Sequence, residues 1–299
     1  MPGPVGLVVL YIALSYTLNT ILAMVLRALS AEGRMGAEPV KVFGVVASLS
    51  MFTPLASLYL LSLLYPASLR FPEFIAGWLR LGARPIALFL LAPLPPIAAA
   101  LLCLGALWVL GMLDADRLRL ATGSEHPISW GVLRVAGLGY AAGLTANAVL
   151  ALGEEYGWRA FMSVLLVDRL GLAIPMSMLI VGAVWGLWHV PLVAAARPVV
   201  SRLAPWARPI HIPVSYVALC TILSYPLYLL LTSSHSILPP AAFHGAVNAL
   251  WRLPQFVVRL SRERMRRDLA VSSLAATASL STVIPVTQLL VEVVSNAFQ

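Results

Sequence analysis

The chain has 299 residues, 60% of them hydrophobic and only 11% charged, with a formal net charge of +8. Soluble domains carry about 25% charged residues, so this composition, with a mean hydropathy of +0.90, excludes an ordinary soluble protein and predicts a polytopic membrane protein. An excess of Lys and Arg would point to nucleic acid in a soluble protein; here the basic residues are expected in loops, where they set orientation, and no nucleic-acid partner is expected.

Only helices and closed barrels can satisfy their backbone in lipid, and the apolar runs are too long and continuous for alternating barrel strands. The expected fold is all-α, a polytopic membrane helix bundle of about eight transmembrane helices, each near the ~20 residues a bilayer needs. Residues 1–299 are expected to form a single membrane-embedded domain. In chain order the spans are predicted at 5–26, 42–65, 86–112, 135–167, 172–196, 212–231, 237–258 and 270–294. The first begins with no basic stretch before it and is long enough to span, which argues against a cleaved signal peptide. Segment 71–81 is short and aromatic and is expected to lie on the interface. Pro93, Pro95 and Pro96 predict a kink or break in the third span. Cys103 and Cys220 fall in apolar runs and read as small core residues.

The loops after the first, third, fifth and seventh spans hold most of the basic residues, including Arg259, Arg262, Arg264, Arg266 and Arg267. That side is expected to be cytoplasmic, with both termini outside the cytoplasm. The arginine cluster is also suited to contact anionic lipid headgroups.

The fourth span contains Glu154-Glu155-Tyr156-Gly157-Trp158-Arg159. Ionisable groups at membrane depth are costly, and by default they mark a pathway or a site. Glu155 and Arg159 are four residues apart in the favourable order for an ion pair. Glu154 lies outside that spacing, because Arg159 is five residues on, and so is the better candidate for a general base. Asn147 is seven residues earlier on the Glu154 face and, like Asn19, is expected mainly to join helices by hydrogen bonds.

The fifth span carries His189, with Pro191 two residues on. Proline has no N–H for the Leu187 carbonyl, so a bend is expected near His189. Trp185 lies one turn before it. Gly139 with Gly143, and Gly182 with Gly186, form small-residue steps that allow close helix contact. Gly186 shares the His189 face, which favours proximity of Glu154 and His189.

The seventh span places His244 and Asn248 four apart. Both side chains can donate to a developing oxyanion; His244 is equally suited to a metal. Each feature alone has a structural reading, as an ion-pair cluster, a core histidine or interhelical bonding. Their joint occurrence in three apolar segments favours one catalytic centre.

These three motifs together resemble the CPBP intramembrane protease family, which includes CAAX-type endopeptidases and Abi-like bacteriocin-immunity proteins. Its pattern is E-E-x-x-x-R, F-x-x-x-H and H-x-x-x-N on separate membrane helices. The matching residues are Glu154-Glu155-Tyr156-Gly157-Trp158-Arg159, Trp185-Gly186-Leu187-Trp188-His189 and His244-Gly245-Ala246-Val247-Asn248, all within 150–250. Trp185 stands where the family usually has phenylalanine, a change expected to alter pocket shape more than chemistry.

The resemblance implies an intramembrane endopeptidase. Glu154 and His189 would activate a water, His244 and Asn248 would hold the oxyanion, and Glu155 and Arg159 would support the architecture. No cofactor is required by this reading. A divalent metal such as zinc, if held, would take Glu154, His189 and His244, and the same groups suit a metal-free mechanism. The implied substrate is a peptide or protein, with a lipidated one suggested by the family. The sequence alone leaves two other classes open: a non-proteolytic binding or immunity protein, and a proton-coupled transporter using the same polar residues. The H-E-x-x-H, G-x-S-G and G-x-G-D patterns of other intramembrane hydrolases do not occur.

Overall fold

The structure is a computed structural model that describes residues 2–31, 39–123, 128–196, 211–251, 253–259 and 265–298. Arg262 and Arg264 of the basic cluster, and His126, lie outside the described residues. Among the described residues the regular structure is helical, and pairing is limited to one isolated bridge between Leu113 and Val258.

In chain order the helices are α1 Pro4–Ala31, α2 Pro39–Ser50, α3 Thr53–Leu64, α4 Phe71–Trp78, α5 Ala83–Leu91, α6 Leu94–Val109, α7 Ala115–Thr122 and α8 Ile128–Leu144. Then come α9 Ala146–Glu155, two π-helical segments Tyr156–Ser163 and Leu165–Arg169, α10 Ile174–Trp188 and α11 Val190–Ala195. The chain ends with α12 His211–Ser234, α13 Leu238–Leu250, α14 Leu253–Val257, α15 Met265–Ser281 and α16 Val283–Ala297.

Six stretches among the described residues are long and apolar enough to cross a bilayer: Pro4–Ser30, Lys41–Leu64, Ala83–Val109, Ile174–Ala195, Val214–Ser234 and Val271–Ala297. A seventh is counted if Trp130–Leu144 and Ala146–Arg169, bent by 54°, are one span. The break falls at Thr145, whose hydroxyl donates to the Ala141 carbonyl at 2.6 Å, an intrusion into the helical ladder of the kind that bends helices. The all-α polytopic architecture is therefore as expected, but the run expected as a seventh span divides into α13 and α14. At 1.5 Å per residue, the 13 residues of α13 reach roughly 20 Å, short of a ~30 Å hydrocarbon core. The proline-rich third span is divided into α5 and α6, with Pro93 at the junction.

By internal packing the chain divides into two compact units. One comprises Met1–Arg80 with Leu150–Tyr228, the other Leu81–Val149 with Leu229–Gln299. In the first, α1 packs against α2, α3, α10 and α11, and the first π segment packs against α3 and α10. Tyr11, Ser15, Asn19, Ala23 and Leu26 form the buried stripe of α1, at the helical spacing that faces a core. Ala23 and Leu26 join Phe43, Val46, Leu192 and Ala196 in one apolar cluster. In the second unit α13 is held by α5, α6 and α8, and α15 packs on α6. Its apolar core includes Leu104, Leu107, Leu118, Val135, Leu250 and Val257.

Candidate functional site

Glu154 and Glu155 end α9, and the backbone then widens from i→i+4 to i→i+5 bonding over Tyr156–Ser163. The Ser163 hydroxyl donates to the Trp158 carbonyl five residues back at 2.8 Å. Single turns of this kind are uncommon and recur at functional sites. Every residue from Tyr156 to Ser163 is buried, Arg159 included.

Two glycines make this burial feasible. A Cβ on Gly153 would lie 2.8 Å from the Phe52 Cα, and one on Gly157 would lie 2.6 Å from the Pro54 side chain and collide with the Tyr11 hydroxyl. Gly153 and Gly157 are a further small-residue step that brackets the acidic pair. Its four-residue spacing was visible in the sequence and signals a close contact beside the acids; the structure gives α1 and the start of α3 as the partners.

Glu155 and Arg159 form an ion pair, Nε to Oε2 at 3.4 Å, with both side chains completely buried. The guanidinium carbon also lies 4.1 Å from the centroid of the Trp185 ring. A weakly hydrated planar cation suits such a stacked, buried place better than an ammonium would. The three guanidinium nitrogens find no hydrogen-bond acceptor among the described residues. The ion pair and the indole face therefore supply the main compensation for burying the charge.

Trp185 connects the three functional groups of this unit. Its indole N–H donates to Glu154 Oε2 at 2.5 Å, its ring face meets Arg159, and its carbonyl meets His189 Nδ1 at 2.9 Å. The last contact follows from a break in the helix. α10 ends at Trp188 and α11 begins at Val190, so the helix is interrupted at His189, near where Pro191 predicts a bend. There the His189 backbone N–H turns to the Gly186 carbonyl at 3.3 Å, which leaves the Trp185 carbonyl to the imidazole. A carbonyl only accepts, so Nδ1 carries the proton in that bond and Nε2 is the basic nitrogen of the neutral ring. An aromatic wall was expected at Trp185; the structure gives its indole N–H and carbonyl polar roles as well.

Gly182 and Gly186 do mark a close helix contact, and their partner is α12. A Cβ at Gly182 would lie 2.8 Å from the Thr221 backbone nitrogen, and one at Gly186 would lie 2.7 Å from that of Val217. Residues of α1 escaped the sequence reading apart from Asn19. Asn19 donates to the Trp188 carbonyl at 2.5 Å, and the Trp188 indole donates to the Ser15 carbonyl at 3.2 Å. Tyr11 packs edge-on to Trp158 with centroids 5.4 Å apart and stands within electrostatic reach of Glu154, Glu155 and Arg159. Asn19, Ser15 and Tyr11 share one face at four-residue spacing, which is the signal a search for polar stripes would have used.

The third motif belongs to the second unit. His244 is buried and Asn248 half-buried on α13. A Cβ on Gly245 would lie 2.7 Å from the Ala148 backbone nitrogen and 2.9 Å from the Asn147 carbonyl carbon. The Asn147 amide donates to the Gly245 carbonyl at 3.2 Å, the helix-joining role expected of it. On the facing helix, a Cβ at Gly143 would lie 2.9 Å from the Ala242 carbonyl oxygen and 3.0 Å from the Ala246 side chain. The small-residue step in α8 thus seats α13 and fixes the rotation of the His244 face.

Among the described residues no group of three or more His, Cys, Asp or Glu side chains is arranged to hold a metal ion. Trp185 engages one atom each of Glu154 and His189, and no step is derived through a metal.

The fold and these motifs define a class: a polytopic helical membrane protein with a completely buried acid–arginine pair next to an indole-bound carboxylate and a histidine at a helix break. Residues 136–250 match the family model described as type II CAAX prenyl endopeptidase, Rce1-like. That description is of a protease family, and the matched stretch contains all three motifs, in agreement with their CAAX-protease resemblance. No curated protein and no solved structure matched the chain.

Proposed function

We propose that the protein is an intramembrane endopeptidase that hydrolyses a peptide bond by water attack, with Glu154 as general base and His189 as its partner in proton transfer. The observation that carries this reading is the link through Trp185, which binds Glu154 Oε2 and His189 Nδ1 through its own two polar groups. A base and an imidazole of fixed orientation are what activation of a water requires. From the motif pattern, His244 and Asn248 would donate to the oxyanion of the tetrahedral intermediate. Protonation of the departing amine by the acid so formed would complete the cleavage. Glu155 and Arg159 support the turn and do not touch the reacting atoms.

The proposed reaction needs no bound metal. The proposed substrate is a peptide or protein segment that reaches the site from the membrane, and the family description makes a prenylated C-terminal peptide the first probe. Counted over the eight spans of the sequence reading, the basic loop residues would put both termini outside the cytoplasm.

The test is cleavage of a quenched fluorescent prenylated peptide by the purified protein in detergent, with and without a chelator. Cleavage that survives the chelator and is lost in Glu154→Gln supports the reading. Full cleavage by Glu154→Gln in a folded protein rejects Glu154 as the base, and loss on chelation that zinc restores rejects the metal-free route.

A further inference from the structure

The imidazole of His189 has a neighbour that none of the three motifs contains. Tyr216, on α12, is buried and lies against the ring nearly face to face, with centroids 4.4 Å apart and planes 22° from parallel. Trp188 closes another side edge-on, with centroids 4.9 Å apart and planes at 82°. Trp185 lies further off, at 6.1 Å.

This geometry matters because of where His189 sits. It caps α10 at a break in the helix, where its own backbone bonds across a shortened turn to Gly186. A side chain at such a break has less support from the preceding turn than one inside a helix. Its Nδ1 bond to the Trp185 carbonyl fixes one atom, and rotation about that contact would still carry Nε2 through an arc. A flat surface on one ring face removes that freedom. Stacked aromatic pairs contribute about 0.5–1.5 kcal/mol beyond their buried area, enough to select one rotamer.

The stack in turn depends on how closely α12 approaches. A Cβ at Gly186 would lie 2.9 Å from the Tyr216 carbonyl oxygen and 2.7 Å from the Val217 backbone nitrogen. Gly186 therefore lets the α12 backbone come near enough for the Tyr216 ring to reach an imidazole three residues further along the other helix.

We propose that Tyr216 is a positioning residue for the hydrolysis: its ring, brought in by the Gly186 contact, clamps the His189 imidazole so that Nε2 is held in one direction. The ring face does this, not the hydroxyl. The proposal rests on the reading of His189 as part of the peptidase machinery. It goes beyond the motifs, because Tyr216 belongs to none of them.

The experiment combines kinetics with NMR of the imidazole protons in detergent-solubilised protein, using the wild type, Tyr216→Phe, Tyr216→Leu, Tyr216→Met and His189→Ala. The chain has five histidines, so His189→Ala assigns the resonance by its loss. In the wild type the His189 ring protons should be displaced upfield by the ring current of Tyr216. Tyr216→Phe should keep that displacement and the wild-type kcat. Tyr216→Leu should lose the displacement, lower kcat about 10- to 100-fold as expected for a slightly misplaced catalytic group, and leave KM and the thermal midpoint near wild type. Tyr216→Met, which keeps apolar bulk without a ring, gives the same readout should the leucine variant fold poorly.

Absence of the upfield displacement in the wild type, or a normal kcat in both ringless variants, overturns the proposal. Failure of the phenylalanine variant to keep kcat overturns it too, by assigning the role to the hydroxyl. Full cleavage by His189→Ala overturns the catalytic reading of His189 itself and, with it, the purpose assigned to the stack. The two failures are distinguished by whether the alanine or the leucine and methionine variants remain active.

Discussion

The turn that carries Glu154 and the helix that carries His244 are both buried, and both are admitted to their places by glycines, Gly153 and Gly157 in one and Gly245 in the other. They differ in nearly everything else. The acidic turn holds a completely buried ion pair, large aromatic side chains and a widened backbone. The His244 helix is an ordinary α-helix whose buried residues include the small Ala241, Ala242, Gly245 and Ala246. The first region must compensate charge as well as pack, and Trp185 does so by giving Glu154 an N–H and Arg159 a π face. In the second, Gly245 has only to bring backbones together. Errors in the first should therefore appear as lost chemistry or an uncompensated charge, and errors at Gly245 as lost packing.

Glu154→Gln should give the largest effect. Removing a general base costs about 10²–10⁴-fold in rate, and the folded yield should change little because the amide can still accept from Trp185. A cleavage assay together with a thermal melt separates the two. Arg159→Ala comes next. Breaking a buried pair from one side costs about 3–5 kcal/mol, so the melt in detergent should fall steeply; an unchanged midpoint would make the two regions alike after all.

Trp185→Phe sharpens the contrast within the acidic region, because it keeps a ring beside Arg159 and removes the N–H from Glu154. A hydrogen bond to a charged group contributes about 1.5–3 kcal/mol, so activity should move by at least about tenfold. An unchanged rate would return Trp185 to the role of a wall. In the second region, Gly245→Val should cost about 1–3 kcal/mol by overpacking, because the added atoms meet the backbone at Asn147 and Ala148. The thermal midpoint reads this directly. Arg119→Ala, at an exposed pair with Asp116, should change stability by no more than about 1 kcal/mol. It calibrates how much of the Arg159 effect is due to burial.

Much of the site was legible because its chemistry is out of place in lipid. Glu154, Glu155, Arg159, His189 and His244 stand out in an apolar chain. The four-residue spacing of Glu155 and Arg159 gave their ion pair, and Pro191 gave the break at His189. The wide turn after Glu155 was not legible. Its i→i+5 bonding leaves no mark in the pattern because the segment is buried on all sides and has no exposed face to count from. The partner of the Gly182–Gly186 step was hidden for another reason: a small-residue step says that some backbone comes close, and not which one. The short α13 was hidden because an apolar run reads alike whether the helix inside it continues or stops.

The sequence by itself determined that this chain is a helical membrane protein and which polar residues it carries into the apolar interior, because composition and transfer free energy settle both without reference to any contact. Only the tertiary structure decided that Trp185 would bind Glu154 with its indole and His189 with its carbonyl, and that Tyr216 would lie on that imidazole. Two of those contacts, Trp185 to Glu154 and Tyr216 to His189, join residues far apart in the chain. They depend on how closely glycines let backbones approach, which is a property of packed helices and not of any one segment.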